Sequence, residues 1–188
     1  MNLPVKLTLL RAAAVAPMIV LHYLELRPGG VSLAMLVFVA AGITDWFDGW
    51  LARRTGQMSE LGAFLDPVAD KILVVSALLL VVEQSSNAAV TLPAIVIALR
   101  EMTIVAMREW SARNGYNKLL SVRGGGKIKT VVQIVAVAML LQFYQEGSFM
   151  QQLSIFTLWA ALGFSVLSWT AYLRIWLQHA RGKLEKDG

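Results

Sequence analysis

Cysteine is absent from this chain of 188 residues, and histidine occurs only twice. Disulfides, thiolate metal ligands and a cysteine nucleophile are therefore excluded. Charge is scarce too: Asp, Glu, Lys and Arg make up 15% of the residues, against about a quarter in an average soluble domain. No internal repeat, low-complexity tract or second compositional block is present, so the sequence reads as one domain over residues 1–188. Its basic start runs into an apolar stretch with no clear small-residue cleavage site after it. That pattern predicts a retained segment rather than a cleaved signal peptide.

What the chain has in excess is apolar residues, 57% of the total, grouped into segments of membrane-spanning length. The expected fold class is all-α, a polytopic membrane protein with six transmembrane helices. Residues 1–11 place Leu3, Leu7 and Leu10 at helical spacing, with Lys6 and Arg11 elsewhere on the wheel. They predict a short interfacial amphipathic helix. Six spans are expected after it, over about 12–26, 31–53, 59–82, 90–112, 128–144 and 153–177, in a bundle covering 12–180. A polar tail, 181–188, closes the chain. Pro28, Gly29 and Gly30 mark the first turn, and the longest polar connection, 113–129, contains three consecutive glycines.

The formal charge of +5 is unevenly spread. Of the 17 Lys and Arg residues, the turns at 27–31, 83–90 and 145–152 contain Arg27 alone. The positive-inside rule then predicts that both termini and the other set of connections face the cytoplasm. The same asymmetry accounts for the basic balance without nucleic acid.

Four aspartates interrupt this apolar chain between Asp45 and Asp70. Ionisable groups at membrane depth are costly and persist where they line a cavity, pair or bind an ion. On helices, Asp45 and Asp48 are three apart and Asp66 and Asp70 four apart, so each pair shares a face. The loop between them lets the second helix fold back on the first. Four converging carboxylates repel strongly unless a cation sits between them. An all-oxygen donor set favours a hard ion, Mg2+ or Mn2+ before Zn2+, and four ligands leave room for two ions. Gly49, Ala52, Gly62 and Ala63 are small where a ligand or a facing helix would need room. Arg53 stands at the rim, where a guanidinium can grip a phosphate. A solvated acidic loop would fit four aspartates, but WFDGWLA and LGAFLDPVA are too apolar for one. A cation transporter would also use buried carboxylates. Against it, Asp48 and Asp45 lie only about 8–12 Å of helix from Arg53, which is headgroup depth.

The spacing Asp45-x2-Asp48-Gly49-x2-Ala52-Arg53-x8-Gly62-x3-Asp66-x3-Asp70 resembles the CDP-alcohol phosphotransferase signature at every defined position. The resemblance implies a six-span, mostly dimeric membrane enzyme that moves a phosphatidyl or similar group from a CDP-linked donor to an alcohol and releases CMP. It also implies that Asp45, Asp48, Asp66 and Asp70 hold the divalent metals, that Asp70 doubles as general base, and that Gly49, Ala52, Arg53 and Gly62 line the CDP site.

The flanking runs, LTLLR, TDWFDGWLARR, LGAFLDPVADK, ALREMTIVAMREW and GKIKT, are similar to the bacterial branch of that family. This branch uses CDP-diacylglycerol as donor and sn-glycerol 3-phosphate as acceptor, in the cytoplasmic membrane. A dianionic acceptor calls for a second cationic site. Arg108, Lys127 and Lys129 are the first candidates for it, with Arg100 and Arg123 beside them. Ordinary positive-inside anchoring is the plain alternative for about half of these. Inositol phosphate, serine and phosphatidylglycerol remain alternative acceptors. Val5 after Pro4, and the run Arg123-Gly124-Gly125, depart from the usual pattern.

Overall fold

The computed structural model describes residues 9–55, 60–114, 126–143 and 147–187, with side chains described except at 45–55, 60–67, 70, 126–129 and 180–187. Among these residues are six α-helices: α1 (Val15–Tyr23), α2 (Leu33–Thr55), α3 (Glu60–Ser85), α4 (Ala88–Arg113), α5 (Gly126–Gln142) and α6 (Phe149–Asp187). A single 3-10 turn, Pro28–Gly30, joins the first two, and no strand occurs among the described residues. The all-α expectation holds. Most of the expected interfacial helix, residues 1–8, lies outside the described residues, and 9–13 are helical.

Proline explains two local features. The helix breaks at Ala14, where Pro17 lacks the N–H that Ala13 would accept and its ring crowds that carbonyl. Inside α4, Pro93 likewise frees the carbonyl of Ala89. That carbonyl is not orphaned, because Trp159 Nε1 of α6 donates to it at 2.9 Å. Between α3 and α4 the chain turns at Ser86, which takes φ 44°. Asn87 then caps α4, its side chain accepting from the Ala89 N–H at 2.8 Å. Gly29, at φ 62°, supplies the left-handed residue of the first turn.

The connections at 24–32 and 86–87, the end of α5 and the start of α6 gather at one end of the bundle. Arg27 and Gly30 meet Gln142 there, and Trp159 meets Ala89. The chain therefore runs up and down, and the C-terminal ends of α2 and α4 and the N-terminal ends of α3 and α5 lie at the opposite end. In the middle, α5 packs on α6, α2 and α3. Met18, Phe38, Leu73, Leu78, Ile97, Val137, Leu141 and Leu158 close the core.

The outside of this bundle is apolar. On α4 the exposed side carries Leu92, Ile95, Leu99 and Met102, whereas the buried side carries Val90, Ile97, Arg100, Glu101 and Ile104. On α6, Phe156, Phe164 and Leu167 are exposed. Two helical stretches, Ala88–Arg113 and Phe149–His179, are long and apolar enough to cross a membrane, and shorter apolar helices cover Leu9–Tyr23, Leu33–Thr44 and Thr130–Gln142. The end of the chain departs from expectation. The residues predicted as a polar tail continue α6 as far as Asp187. Polarity there marks the end of the apolar span, but Lys183, Leu184, Glu185 and Lys186 are good helix formers and nothing in them stops the helix.

Candidate active site

The signature residues fall on two consecutive helices. Asp45, Asp48, Gly49, Ala52 and Arg53 occupy the last turns of α2, and Gly62, Asp66 and Asp70 the first half of α3. Only residues 56–59 separate these helices, so both acid-bearing segments adjoin one short connection at the same end of the bundle. The backbone thus gives the helical register that the spacing predicted for each pair. The donor set is four carboxylates, with neither histidine nor cysteine among the signature positions, and this chemistry fits a hard divalent cation.

One residue beyond Asp70, the side chains become a connected polar system. Lys71 Nζ lies 2.6 Å from a carboxylate oxygen of Glu101 on α4. The other oxygen of Glu101 pairs with Arg100 Nη1. Arg100 Nη2 donates to Ser168 Oγ of α6 at 2.9 Å, and Ser168 Oγ donates to the carbonyl of Ser165 at 2.9 Å. Arg100 and Glu101 are 1% and 4% exposed, so this system is inside the bundle. Buried charges of this kind persist only when paired and hydrogen-bonded. Arg100 was among the expected ligands of an acceptor phosphate. Its two terminal nitrogens are held by Glu101 and Ser168, and its Nε has no hydrogen-bond partner.

The α3–α4 hairpin places the other candidates. Lys71 and Glu101 lie equally far from the turn at Ser86 and meet across it. Arg108, seven residues past Glu101, is therefore level with the segment of α3 between Gly62 and Asp66, seven residues before Lys71. Arg108 is half-buried, and its Nε has no hydrogen-bond partner. Ser111, one turn on, is 2% exposed with its hydroxyl likewise unsatisfied. Unpaired buried donors are few in folded proteins and mark positions where a ligand or water belongs. Ser111 was not anticipated from sequence, because a lone serine near a helix end carries no pattern. Glu109, the neighbour of Arg108, pairs with the exposed Arg113 at 2.7 Å. Trp110 packs edge-on against Trp176 of α6, centroids 5.3 Å apart, as a packing aromatic. Lys127 and Lys129 lie in the first turn of α5, and Arg123 lies outside the described residues.

Residues 1–167 match the CDP-alcohol phosphatidyltransferase family. The chain belongs to that family. It is 38% identical over 183 residues to a CDP-diacylglycerol--glycerol-3-phosphate 3-phosphatidyltransferase of Haemophilus influenzae, covering 97% of this chain and 95% of the relative. It is 39% identical over 175 residues to the protein of that name from Wigglesworthia glossinidia brevipalpis, covering 93% and 94%. To the one from Escherichia coli K12 it is 46% identical over 140 residues, covering 74% and 76%. The family match spans both acid-bearing helices, the Lys71–Glu101–Arg100 system and Arg108.

Proposed function

We infer that this chain transfers the phosphatidyl group of CDP-diacylglycerol to sn-glycerol 3-phosphate, giving phosphatidylglycerophosphate and CMP. The observation that carries the reading is near full-length similarity to relatives so named, in a chain that keeps every defined position of the acid signature. Asp45, Asp48, Asp66 and Asp70 are the residues that would hold Mg2+ or Mn2+, as two ions. When bound, such ions supply charge neutralisation at the β-phosphate and at the departing CMP.

The chain's own residues do the rest. Gly49, Ala52 and Gly62 carry little or no side chain, which lets a nucleotide approach the helix backbones closely. Arg53 holds a phosphate oxygen at the rim. Asp70 accepts the proton of the C1 hydroxyl of glycerol 3-phosphate as that oxygen bonds to the β-phosphorus. The bond from the β-phosphorus to the bridging oxygen breaks, and CMP leaves with that oxygen. Arg108, level with the acid segment and with an unsatisfied Nε, takes the acceptor's phosphate together with Lys127, Lys129 and Arg123.

The apolar exterior and charged interior of α4 suit a bundle solvated by lipid. We read the six helices as six spans in the bacterial cytoplasmic membrane, with the aspartate end and both termini in the cytoplasm and the enzyme a homodimer. Donor tails then stay in the bilayer while the pyrophosphate reaches the acids.

The test uses purified protein with labelled CDP-diacylglycerol, Mg2+ and a panel of alcohols. CMP release with glycerol 3-phosphate is expected. Release with inositol phosphate alone would overturn the acceptor, and no release with any alcohol would overturn the enzyme.

A further inference from the structure

We propose that Lys71 and Glu101 are positioning residues that clamp the acid-bearing helix α3 against α4, and that Arg100 is a strut carrying this clamp to α6. The inference rests on the metal reading of the four aspartates. Three observations support it. First, Arg100 and Glu101 are neighbours in sequence, and adjacent side chains on a helix normally diverge by about 100°. Their contact is therefore held by what lies on either side, Ser168 on α6 at 2.9 Å from Arg100 and Lys71 on α3 at 2.6 Å from Glu101. Second, neutralising Arg100 requires one carboxylate and no lysine. Lys71 adds a second cation to Glu101 in a setting where its side chain is only 20% exposed, an arrangement that makes sense as a tether between helices. Third, Lys71 follows Asp70 directly. Fixing the rotation and height of α3 at residue 71 fixes them at residue 70, about 1.5 Å along the axis, and one turn back at Asp66.

Arg100 and Glu101 lie inside the bundle, so the clamp acts through the packing of α3 on α4 rather than by contact with substrate. A metal site formed by two helices keeps its affinity only if the helices hold their relative rotation. Supporting contacts of this kind are typically worth about 10- to 100-fold in metal affinity.

The test is direct Mn2+ binding to purified protein, followed by the electron paramagnetic resonance of free Mn2+, with thermal unfolding recorded in the same detergent. K71M leaves the Arg100–Glu101 pair balanced in charge. It is expected to fold and to bind Mn2+ about tenfold more weakly, with K71R restoring affinity to within about threefold. The sign discriminates between explanations. If Lys71 acted only as a positive charge near the metals, its removal would strengthen Mn2+ binding. Unchanged or tighter binding in folded K71M overturns the inference. Should K71M not yield folded protein, K71Q still offers Glu101 one donor and is expected to weaken binding about threefold. Wild-type affinity in K71Q then overturns the inference. Failure of the wild-type protein to bind Mn2+ would overturn the metal reading itself, and this inference with it.

Discussion

Arg27 is the basic residue that the charge pattern leaves on the wrong side, and its environment predicts what removing it costs. Its guanidinium reaches the C-terminus of α5, with Nη1 donating to the carbonyl of Gln142 at 2.9 Å and Nη2 to that of Leu141 at 3.3 Å. These carbonyls belong to the last turn of a helix, where four lack intrahelical partners. In R27M the stem is kept and the donors are lost. A hydrogen bond from a charged donor is worth about 1.5–3 kcal/mol; the shorter contact falls within that range and the longer one below it. A cation at a helix C-terminus adds about 0.5 kcal/mol. Water reaching this half-exposed end returns part of the loss, so the net destabilisation is about 2 kcal/mol. For a chain of this size that lowers the unfolding midpoint in detergent by about 4–8 °C. R27K, which keeps one donor, should recover about half. Arg27 sits at the end of α5 opposite the acids, about 24 Å of helix from Gly126, so the KM values for both substrates should not change. A midpoint within about 1 °C of wild type would refute the capping argument. A changed KM would refute the separation of the two ends.

Two further variants address the chemistry. D70N removes the proposed base and should lower CMP release by about 10^2- to 10^4-fold while CDP-diacylglycerol still binds; normal turnover would remove Asp70 from that role. R108Q removes the proposed ligand of the acceptor's phosphate. It should raise KM for glycerol 3-phosphate by about 10- to 100-fold, from the loss of one charge-assisted contact, with little change in KM for the donor. Steady-state kinetics with each substrate varied in turn separates these outcomes.

The helices and their approximate ends were legible because apolar run length and turn residues are local signals. The acid signature was legible for a related reason: its spacing is a helical register, and both segments are helical at the same end of the bundle. The partners of Arg100 were not legible. A basic residue in the second half of a span looks the same in sequence whether it anchors to headgroups or turns inward. The deciding partner, Ser168, is 68 residues away. The same holds for Lys71, which reads as a flanking charge of the signature until its contact with Glu101 across the hairpin is seen. The continuation of α6 was missed because hydropathy reports where lipid ends, and helix propensity continues regardless. Pro93 shows a further limit: sequence reveals the freed carbonyl of Ala89 but not that Trp159 will satisfy it.

These partners also refine the topological argument. A count of basic residues reports orientation only for charges that remain available to headgroups or water. Arg27 is engaged by the end of α5, so its presence among connections that hold no other Lys or Arg reflects helix capping rather than a weak topological signal. By the same standard Arg100 and Lys71 should be struck from the opposite side, since both are paired with Glu101. Once all three are discounted, the remaining 14 Lys and Arg residues of the 17 all fall outside the turns at 27–31, 83–90 and 145–152 in the sequence. The sequence asymmetry is then complete, and under the proposed orientation it puts the acids, Arg108 and the start of α5 on the cytoplasmic face, where a water-soluble acceptor would meet the headgroup of a lipid donor.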